Sequence, residues 1–440
     1  MSTPTPSARA PRYTSYPPAT HFTDAVGPDA LARWLGAIPP ESEVSVYIHV
    51  PFCRRLCWFC ACRTQGTKTD APLEGYVEAL GAEVATVAAA LPAEVRTGFL
   101  HLGGGTPTLL PPRLLSRVFA MIDDAMPRAE GGEVSIEVDP TEIDGDRLDT
   151  LAEAGVTRAS LGVQDFDPRV QDAIGRRQDF ATTQMAVRGL RARGIRAINL
   201  DLLYGLPHQT EDSLRRTLDQ ALALEPDRFA LYGYAHVPWA SKRQAMIREA
   251  DLPAVPDRLR LAQMAAERLA AAGYVPIGID HFARPDDTLA VAAQTGRLRR
   301  NFQGYTTDNI PALIGLGASA ISCLPGGYAQ NAARTADWAA RVRSGRLATI
   351  RGHALTDEDR LRGAVIERLL CDFAVNPGRF AASDDVRALT RRAAALHDRA
   401  VTLSADGALA FRPAERHLAR TVATAFDAYA APEGRHSLAV

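Results

Sequence analysis

The chain has 440 residues, 46% of them hydrophobic, and a formal net charge of −1 at pH 7. This length allows two or three domains with a sizeable core, and the near-zero charge gives no reason to expect nucleic acid or an anionic membrane as a partner. No apolar run approaches the roughly 20 residues of a membrane-spanning helix. Since the polar start, Met1–Ala10, resembles no export signal, the sequence predicts a cytoplasmic protein without a membrane partner.

Six short apolar runs alternate with amphipathic segments between residues 44 and 234. The runs are Val44–Val50, Gly98–Leu102, Val134–Val138, Thr157–Val163, Ala197–Tyr204 and Arg228–Tyr234. Each is apolar nearly throughout, as in a strand buried on both faces. The helix-like segments between them include Leu73–Leu91, Pro112–Ala125, Phe180–Arg193 and Thr210–Ala223. Six strand–helix units predict an α/β fold with a parallel sheet curled into a partial barrel, and a doubly wound open sheet is the alternative.

Three cysteines, Cys53, Cys57 and Cys60, follow the first run in a C-x3-C-x2-C spacing, and Cys62 comes two residues later. A 4Fe-4S cube is normally held by four thiolates, so a loop that supplies three leaves one iron open to bind a second molecule. Zinc sites usually use two separated ligand pairs, and a disulfide is disfavoured without an export signal. The loop therefore predicts an iron–sulfur cluster with an open iron, and zinc or a chance grouping are the alternatives.

Polar residues or glycines lie at or just after the end of each run. They are Tyr47 and His49 in the first run, Gly103–Thr108 after the second, Glu137 and Asp139 at the third, Gln164 and Asp165 at the fourth, Asp201 in the fifth and Ala235–His236 after the sixth. Ligands in such folds bind at the carboxyl ends of the strands. The pattern therefore predicts a single site at that end of the barrel.

Helix-like segments dominate from about residue 331. They are Arg334–Ser344, Asp357–Leu370, Ser383–Leu396 and Pro413–Tyr429, with a hairpin-like stretch at Val401–Phe411. We therefore predict an N-terminal arm at residues 1–40, a catalytic domain at 41–330 and a mainly helical C-terminal domain at 331–440. The C-terminal domain carries no obvious chemistry, and its role is either packing or part of a lid or substrate pocket.

Nearly the whole chain resembles the radical S-adenosyl-L-methionine (SAM) superfamily, and more closely its bacterial oxygen-independent coproporphyrinogen III oxidase family. Besides the cysteine loop, the matching motifs are Arg12–Pro17, Tyr47–Cys53, Cys60–Cys62, Gly103–Thr108, Glu137–Pro140, Gly162–Phe166, Asp201–Pro207, His281–Asp287 and Asn301–Thr307. The resemblance implies a partial (β/α)6 radical-SAM barrel, a 4Fe-4S cluster on Cys53, Cys57 and Cys60, and two bound SAM molecules.

The resemblance also implies which residues meet the cofactors. The first SAM would contact Tyr47, Gly104, Glu137 and Ile321. The second would contact Phe59, Gly105, Thr106, Gln164, Arg176, Asp201 and Ala235. Cys62 is implied to take part in the reaction without binding the cluster. From position alone, we expect Arg284 and the 301–307 loop at the rim of the substrate site.

The implied reaction is a radical decarboxylation that serves anaerobic heme biosynthesis. SAM cleavage gives a 5′-deoxyadenosyl radical, which removes hydrogen from the β-carbon of a propionate, and loss of CO2 and an electron leaves a vinyl group. Two propionates of coproporphyrinogen III react in this way to give protoporphyrinogen IX. The expected partners are this substrate and a flavodoxin-like or other reductant, and the expected state is a monomer. The alternatives are a heme-binding chaperone or heme-modifying radical enzyme of the same family, or an electron carrier.

Overall fold

The computed structural model of the protein describes residues 10–430. Most of the polar start, and the last ten residues of the predicted C-terminal domain, lie outside the described residues. Within residues 10–430, no helix combines the length and the hydropathy needed to cross a bilayer.

The helices and strands are numbered in chain order. The helices are α1 (Pro28–Gly36), α2 (Ala71–Ala90), α3 (Pro112–Ala125), α4 (Gly145–Glu153), α5 (Pro168–Ala173), α6 (Phe180–Ala192), α7 (Glu211–Leu222), α8 (Val255–Ala271), α9 (Thr288–Gln294), α10 (Thr335–Arg343), α11 (Asp357–Asp372), α12 (Ser383–Leu396) and α13 (Ala419–Ala423). The strands are β1 (Glu43–Val50), β2 (Phe52–Cys53), β3 (Gln65–Gly66), β4 (Arg96–Gly104), β5 (Arg128–Val138), β6 (Arg158–Gln164), β7 (Ala197–Tyr204), β8 (Arg228–Gly233), β9 (Val275–Ile277), β10 (His281–Ala283), β11 (Arg299–Asn301), β12 (Gly304–Thr306), β13 (Leu313–Leu316), β14 (Ile321–Leu324), β15 (Gly327–Asn331), β16 (Thr349–Ala354), β17 (Ala374–Val375), β18 (Val401–Leu403) and β19 (Leu409–Phe411).

Six parallel strands form the barrel wall in the order β1-β4-β5-β6-β7-β8, and at least one helix follows each strand along the chain. A doubly wound sheet reverses its strand order at a switch point, and this order runs without reversal. Because β1 pairs with β13 and β4, it does not close onto β8. The predicted partial (β/α)6 barrel is therefore confirmed, and each of the six predicted strands is present.

Further strands extend the wall on both sides, and the sequence analysis missed them. β13 runs parallel to β1 and leads into the antiparallel strands β14, β15 and β16, while β10 and β9 continue antiparallel from β8. These strands have three to six residues each, which is too short for a clear apolar pattern.

The apolar core consists of two main clusters, and along the chain they separate near residue 355, later than the predicted domain boundary at residue 331. β16 completes the main sheet, and Trp338 of α10 is fully buried against Tyr76 of α2, with ring centroids 4.6 Å apart. A second apolar cluster begins at Val365 and also contains Tyr13 and Tyr16 of the arm. The domain boundary at residue 331 stays a prediction.

The end of the described chain differs from its prediction. The hairpin at Val401–Phe411 is present as β18 and β19, and β17 joins it to make three strands. The predicted helix at Pro413–Tyr429 is wrong: a 3-10 helix at Pro413–Leu418 and the short α13 replace it. The Ala428 amide donates to the Tyr16 hydroxyl at 2.9 Å, so a contact with the arm takes the place of a helical hydrogen bond.

Candidate active site

The cysteine loop lies at the carboxyl end of β1. Cys53 belongs to β2, which pairs with β3, so the two ends of the loop are held together. Within the loop, the Trp58 amide donates to the Ile174 carbonyl at 2.9 Å, which fixes the loop against the chain after α5. Cys57 is buried, whereas Cys53 and Cys60 are partly exposed.

The segment that follows β8 holds the rest of the loop. Its side chains donate to loop carbonyls: Ser241 to Cys60 at 2.9 Å, Arg243 to Cys62 at 3.2 Å and Gln244 to Phe59 at 2.7 Å. Gln244 also donates to the Ala235 carbonyl at 3.1 Å, so one amide joins two of the predicted site residues, Phe59 and Ala235. The sequence analysis missed these donors, because a Ser, an Arg and a Gln in a polar segment carry no signal of their own.

Arg176 is a buried cation beside the loop. Its Nη1 lies 3.5 Å from the Cys57 sulfur and 3.1 Å from Asp139 Oδ2, and its Nη2 donates to the Gly162 carbonyl at 2.7 Å. Burial alone would lower the pKa of Arg176, but Asp139 and Cys57 raise it, so the guanidinium keeps its charge. The resemblance assigned Arg176 to the second SAM. In the structure its guanidinium also contacts Cys57, a predicted ligand of the cluster.

The loop thiols differ in acidity. A hydrogen bond with Cys62, aided by the charges of Arg243 and Arg176, lowers the pKa of Cys60 to about 6 in spite of burial. Burial raises the pKa of Cys53 to about 11. Because a metal binds the thiolate, Cys60 readily provides that form, whereas Cys53 loses its proton as the metal binds.

This set of thiols fits a 4Fe-4S cluster. Soft thiolates select iron–sulfur clusters, and each would bind a different iron of a cube, so the sulfurs need not converge on one point. Among residues 10–430, no three His, Cys, Asp or Glu side chains converge as they would around a single metal ion. Arg176 offsets part of the negative charge that the thiolates bring.

The glycine run after β4 packs against the backbone of the cysteine loop. The Gly105 amide donates to the Val50 carbonyl and the Thr106 amide to the Phe52 carbonyl, each at 2.8 Å. A Cβ on Gly105 would lie 2.6 Å from the Phe52 oxygen, closer than real contacts allow. Gly104 has φ of +109°, in the region that favours glycine. The chain's own backbone therefore occupies the space that the missing side chain of Gly105 leaves.

A cavity of 550 Å³ opens beside the loop. All four residues that the resemblance assigned to the first SAM line it together with Cys62: they are Tyr47, Gly104, Glu137 and Ile321. Phe302 and Gln303, in the turn between β11 and β12, also line it, so the predicted 301–307 loop reaches the site.

Two histidines orient the polar groups of this cavity. His49 Nε2 lies 3.0 Å from the Arg63 carbonyl and donates to it, so His49 Nδ1 accepts from the Tyr47 hydroxyl at 3.0 Å. Burial alone would raise the pKa of Glu137, but His101 and the Gly104 amide, which donates at 2.8 Å, lower it. The cavity therefore presents a fixed phenol and an ionised carboxylate.

The residues assigned to the second SAM lie at the same carboxyl-end rim but do not line this cavity: they are Phe59, Gly105, Thr106, Gln164, Arg176, Asp201 and Ala235. Asp201 on β7 accepts from Ser160 at 3.1 Å and from Asn199 at 2.7 Å. Burial and the charge of Glu137 raise the pKa of Asp201 to about 7. Gln164 ends β6 with φ of 69°, where the pairing with β7 is irregular. All site assignments remain predictions.

Arg284 lies at the opposite end of the barrel, so its expected place at the substrate rim is wrong. Its amide donates to the carbonyl of Asp227, the residue before β8, at 2.9 Å. The reason is topological: β10 runs antiparallel to β8 and delivers the residue after it to the amino end of β8.

Comparison with known proteins agrees with this geometry. Residues 47–221 match the model of the Radical SAM superfamily. The oxygen-independent coproporphyrinogen III oxidase of Paracoccus denitrificans is 53% identical over 439 residues, which cover 98% of this chain and 97% of that protein. The chain belongs to the oxygen-independent coproporphyrinogen III oxidase family. The oxygen-independent coproporphyrinogen III oxidase of Bradyrhizobium diazoefficiens is 44% identical over 439 residues, which cover 98% of this chain and 97% of that protein.

A solved structure of the same family supports the fold over nearly the whole chain. It is the coproporphyrinogen III oxidase (HemN) from Escherichia coli, described as a radical SAM enzyme, with a TM-score of 0.90 and 38% identity. The match covers 95% of this chain and 98% of that one. The family resemblance inferred from the motifs is therefore confirmed, and with it a 4Fe-4S cluster and SAM as cofactors.

Proposed function

We propose that the protein catalyses the radical-SAM oxidative decarboxylation of two propionate side chains of coproporphyrinogen III to vinyl groups, giving protoporphyrinogen IX. One observation carries the proposal above all: a three-thiol loop, with Arg176 beside it, adjoins a cavity lined by Tyr47 and Glu137. That arrangement occurs in a chain whose relatives bear the name of this oxidase.

Cys53, Cys57 and Cys60 hold the cluster, and the neighbouring cavity takes the first SAM. When bound, these cofactors supply a primary carbon radical, an oxidant strong enough for an unactivated C–H bond. Glu137, held by the Gly104 amide and ionised, accepts from the cationic amine or ribose hydroxyls of SAM. The Tyr47 hydroxyl, fixed by His49, adds a second polar contact.

A second SAM binds farther along the rim, next to Asp201, Gln164 and Thr106. The carboxyl of Asp201 and the amide of Gln164 suit ribose hydroxyls, and Phe59 offers a ring for adenine. Phe59 packs in a small apolar cluster with Val170, which gives that ring a fixed position.

Cys62 handles a hydrogen atom or a proton beside the reacting carbon. Its position supports this role: it lines the cavity with Glu137, and its amide donates to the Cys60 sulfur at 3.4 Å. Its thiol therefore lies next to the cluster loop without being one of the three ligands.

An external one-electron reductant, such as a flavodoxin-like protein, supplies the electron that reduces the cluster. We also propose that the protein is a monomer in the cytoplasm. The loop surface suits such a donor, because Leu56 is exposed there and Arg243 and Arg54 lie nearby. All six cysteines are free, which fits a reducing compartment.

An anaerobic assay tests the proposal. Reconstituted protein with SAM, dithionite and coproporphyrinogen III should yield protoporphyrinogen IX, followed by porphyrin fluorescence after oxidation. Cys62→Ser should keep the cluster and cleave SAM but lose at least about 90% of product formation. Wild-type SAM cleavage without decarboxylation would instead indicate a heme-binding or heme-modifying relative.

A further inference from the structure

Three arginines from different parts of the chain meet above the carboxyl ends of β7 and β8. Arg12 of the arm donates to the carbonyl of Gly233, the last residue of β8, at 3.5 Å. Arg300 of β11 donates to the carbonyl of Arg12 at 3.2 Å. Arg420 of α13 interacts electrostatically with both. We call Arg12, Arg300 and Arg420 the arginine cluster.

The arginine cluster has hydrogen-bond donors that the described protein does not use. The Nε groups of Arg300 and Arg420 are buried and have no hydrogen-bond partner among residues 10–430. The Arg420 side chain makes no hydrogen bond or ion pair to a described residue, and the charge of Asp280 acts on it from a greater distance. A buried guanidinium without acceptors is costly, so native proteins provide it with a partner.

Within residues 10–430, Asp280 is the one carboxylate that acts on both Arg300 and Arg420, and it already has a hydrogen-bond partner. Asp280 Oδ1 lies 2.7 Å from His281 Nδ1, and that bond, together with the charges of Arg300 and Arg420, lowers the pKa of Asp280 to about 2 against the effect of burial. The other groups facing the cluster include the neutral phenols of Tyr204, Tyr232 and Tyr305 and the Cys371 thiol. Arg258, a further cation nearby, donates to a backbone carbonyl at 2.6 Å.

The arginine cluster adjoins the hairpin that reaches the active-site cavity. Arg300 precedes Phe302 by two residues, and Phe302 packs edge-on against Tyr47 with ring centroids 4.9 Å apart. The Arg300 guanidinium lies over the Tyr305 ring, 4.7 Å from its centroid, and the charge of Asp280 also acts on it. One end of this hairpin therefore faces the cofactor residues, and the strand behind it carries a cation.

We propose that the arginine cluster binds the carboxylates of the two propionate side chains that the reaction leaves intact. This inference rests on the proposed function. Guanidinium groups bind carboxylates through paired, charge-assisted hydrogen bonds, and two carboxylates supply the negative charge that Asp280 alone does not. Holding the unreactive half of a tetrapyrrole here leaves the reactive half beside Cys62. It also gives the arm and the C-terminal segment a common function, since each contributes one of the arginines.

The test compares porphyrins that differ in their carboxylates. Coproporphyrin III has four propionates, protoporphyrin IX has only the two retained ones, and the tetramethyl ester of coproporphyrin III has no free carboxylate. Fluorescence titration of the reconstituted protein gives an affinity for each. Arg420→Met should weaken binding of coproporphyrin III and protoporphyrin IX by the same factor, about ten- to a hundredfold, and leave the ester unchanged.

Two further variants separate this role from a structural one. Arg12→Met alters an exposed side chain and should weaken both acids without affecting the melting temperature. Arg284→Met removes the same charge at the opposite end of the barrel and should leave all three affinities unchanged. In Arg284→Met, which lies outside the site, SAM cleavage should also stay at the wild-type rate.

Two results would overturn the inference. If Arg12→Met and Arg420→Met bind both acids as tightly as Arg284→Met does, the arginine cluster has no part in substrate binding. The inference is also wrong if the two variants bind coproporphyrin III more weakly but bind protoporphyrin IX as tightly as wild type does. The arginines would then hold the reacting propionates. A wild-type enzyme that makes no protoporphyrinogen IX would refute the proposed function instead.

Discussion

Gly105 shows how one residue without a side chain holds two segments of the site together. Its backbone lies against the carbonyls of Val50 and Phe52, where any Cβ would collide with main-chain oxygens that cannot rotate away. The three-glycine motif was visible in the sequence, but this partner was not, because the contact joins residues about 50 positions apart. The glycine therefore sets the distance between the cysteine loop and β4.

Gly105→Ala should displace the cysteine loop and reduce the iron bound per chain to less than about half. Overpacking of this kind costs about 1–3 kcal/mol. Gly27→Ala is the matched control, because a Cβ there meets nothing within 4 Å. Iron analysis after anaerobic reconstitution checks the prediction, and a Gly105→Ala protein with the iron content of Gly27→Ala would contradict it.

Asp201 should make stability depend on pH. Its pKa is raised from 3.8 to about 7, first by burial and then by Glu137, while Ser160, Asn199 and Arg176 oppose the shift. The folded protein thus keeps a proton that the unfolded chain releases at lower pH, and the free energy of unfolding should fall as pH rises toward about 7.

Asp201→Asn removes this titration, so its melting temperature relative to wild type should rise between pH 5.5 and pH 8. Asp398→Asn alters an exposed carboxylate, and its melting temperature should differ from that of wild type by the same amount at pH 5.5 and at pH 8. Thermal unfolding monitored by circular dichroism measures the difference. Parallel pH profiles for wild type and Asp201→Asn would show that Asp201 does not hold the proton.

At the scale of elements, α2 connects the barrel to the strands that extend it. Glu83 on this helix is buried and accepts from the Gly317 amide and, at 2.7 Å, from the Asn331 side chain. Burial raises the pKa of Glu83 to about 7, although these hydrogen bonds oppose the shift. One carboxyl therefore holds the turn after β13 and the end of β15 against α2.

Glu83→Ala leaves those buried donors without an acceptor, so it should cost about 2–4 kcal/mol and lower the melting temperature by roughly 2–4 °C in a chain of this size. Glu78→Ala on the exposed side of the same helix should change it by less than about 1 °C. Equal melting temperatures for the two variants would show that the bonds of Glu83 contribute nothing to stability.

Elements with a clear local pattern were predictable, including the short hairpin of β18 and β19 with its Asp406-Gly407 turn, and elements that depend on distant partners were not. The six barrel strands contain short runs rich in apolar residues, a pattern readable from the sequence even where one face, as in β6, is polar. β9 and β10 have three residues each and exist because β8 offers them an edge, which is tertiary information. In the site, the cysteines and glycines were visible as motifs. Contacts between distant parts of the chain place the donors Ser241 and Gln244 and the arginine cluster, and no local sequence pattern predicts such contacts.

At the scale of the whole molecule, the arm, the barrel and the C-terminal segment meet above the same rim. The Tyr13 hydroxyl donates to Asp427 at 3.0 Å, and Tyr16 packs in the second apolar cluster. Arg12 is therefore fixed by its neighbours and lies where Arg420 can act with it. If the arginine cluster binds the retained propionates as we propose, the chain outside the barrel contributes to the substrate site as well as to stability.

The central claim is that three thiolates hold a 4Fe-4S cluster whose fourth iron binds SAM. The most direct test is the electron paramagnetic resonance spectrum of the reduced, oxygen-protected protein with and without SAM. We expect about four irons per chain and a signal that changes when SAM is added. Cys57→Ala should lose the signal and Cys371→Ala should keep it. Bound zinc, or a cluster spectrum that SAM leaves unchanged, would contradict the account.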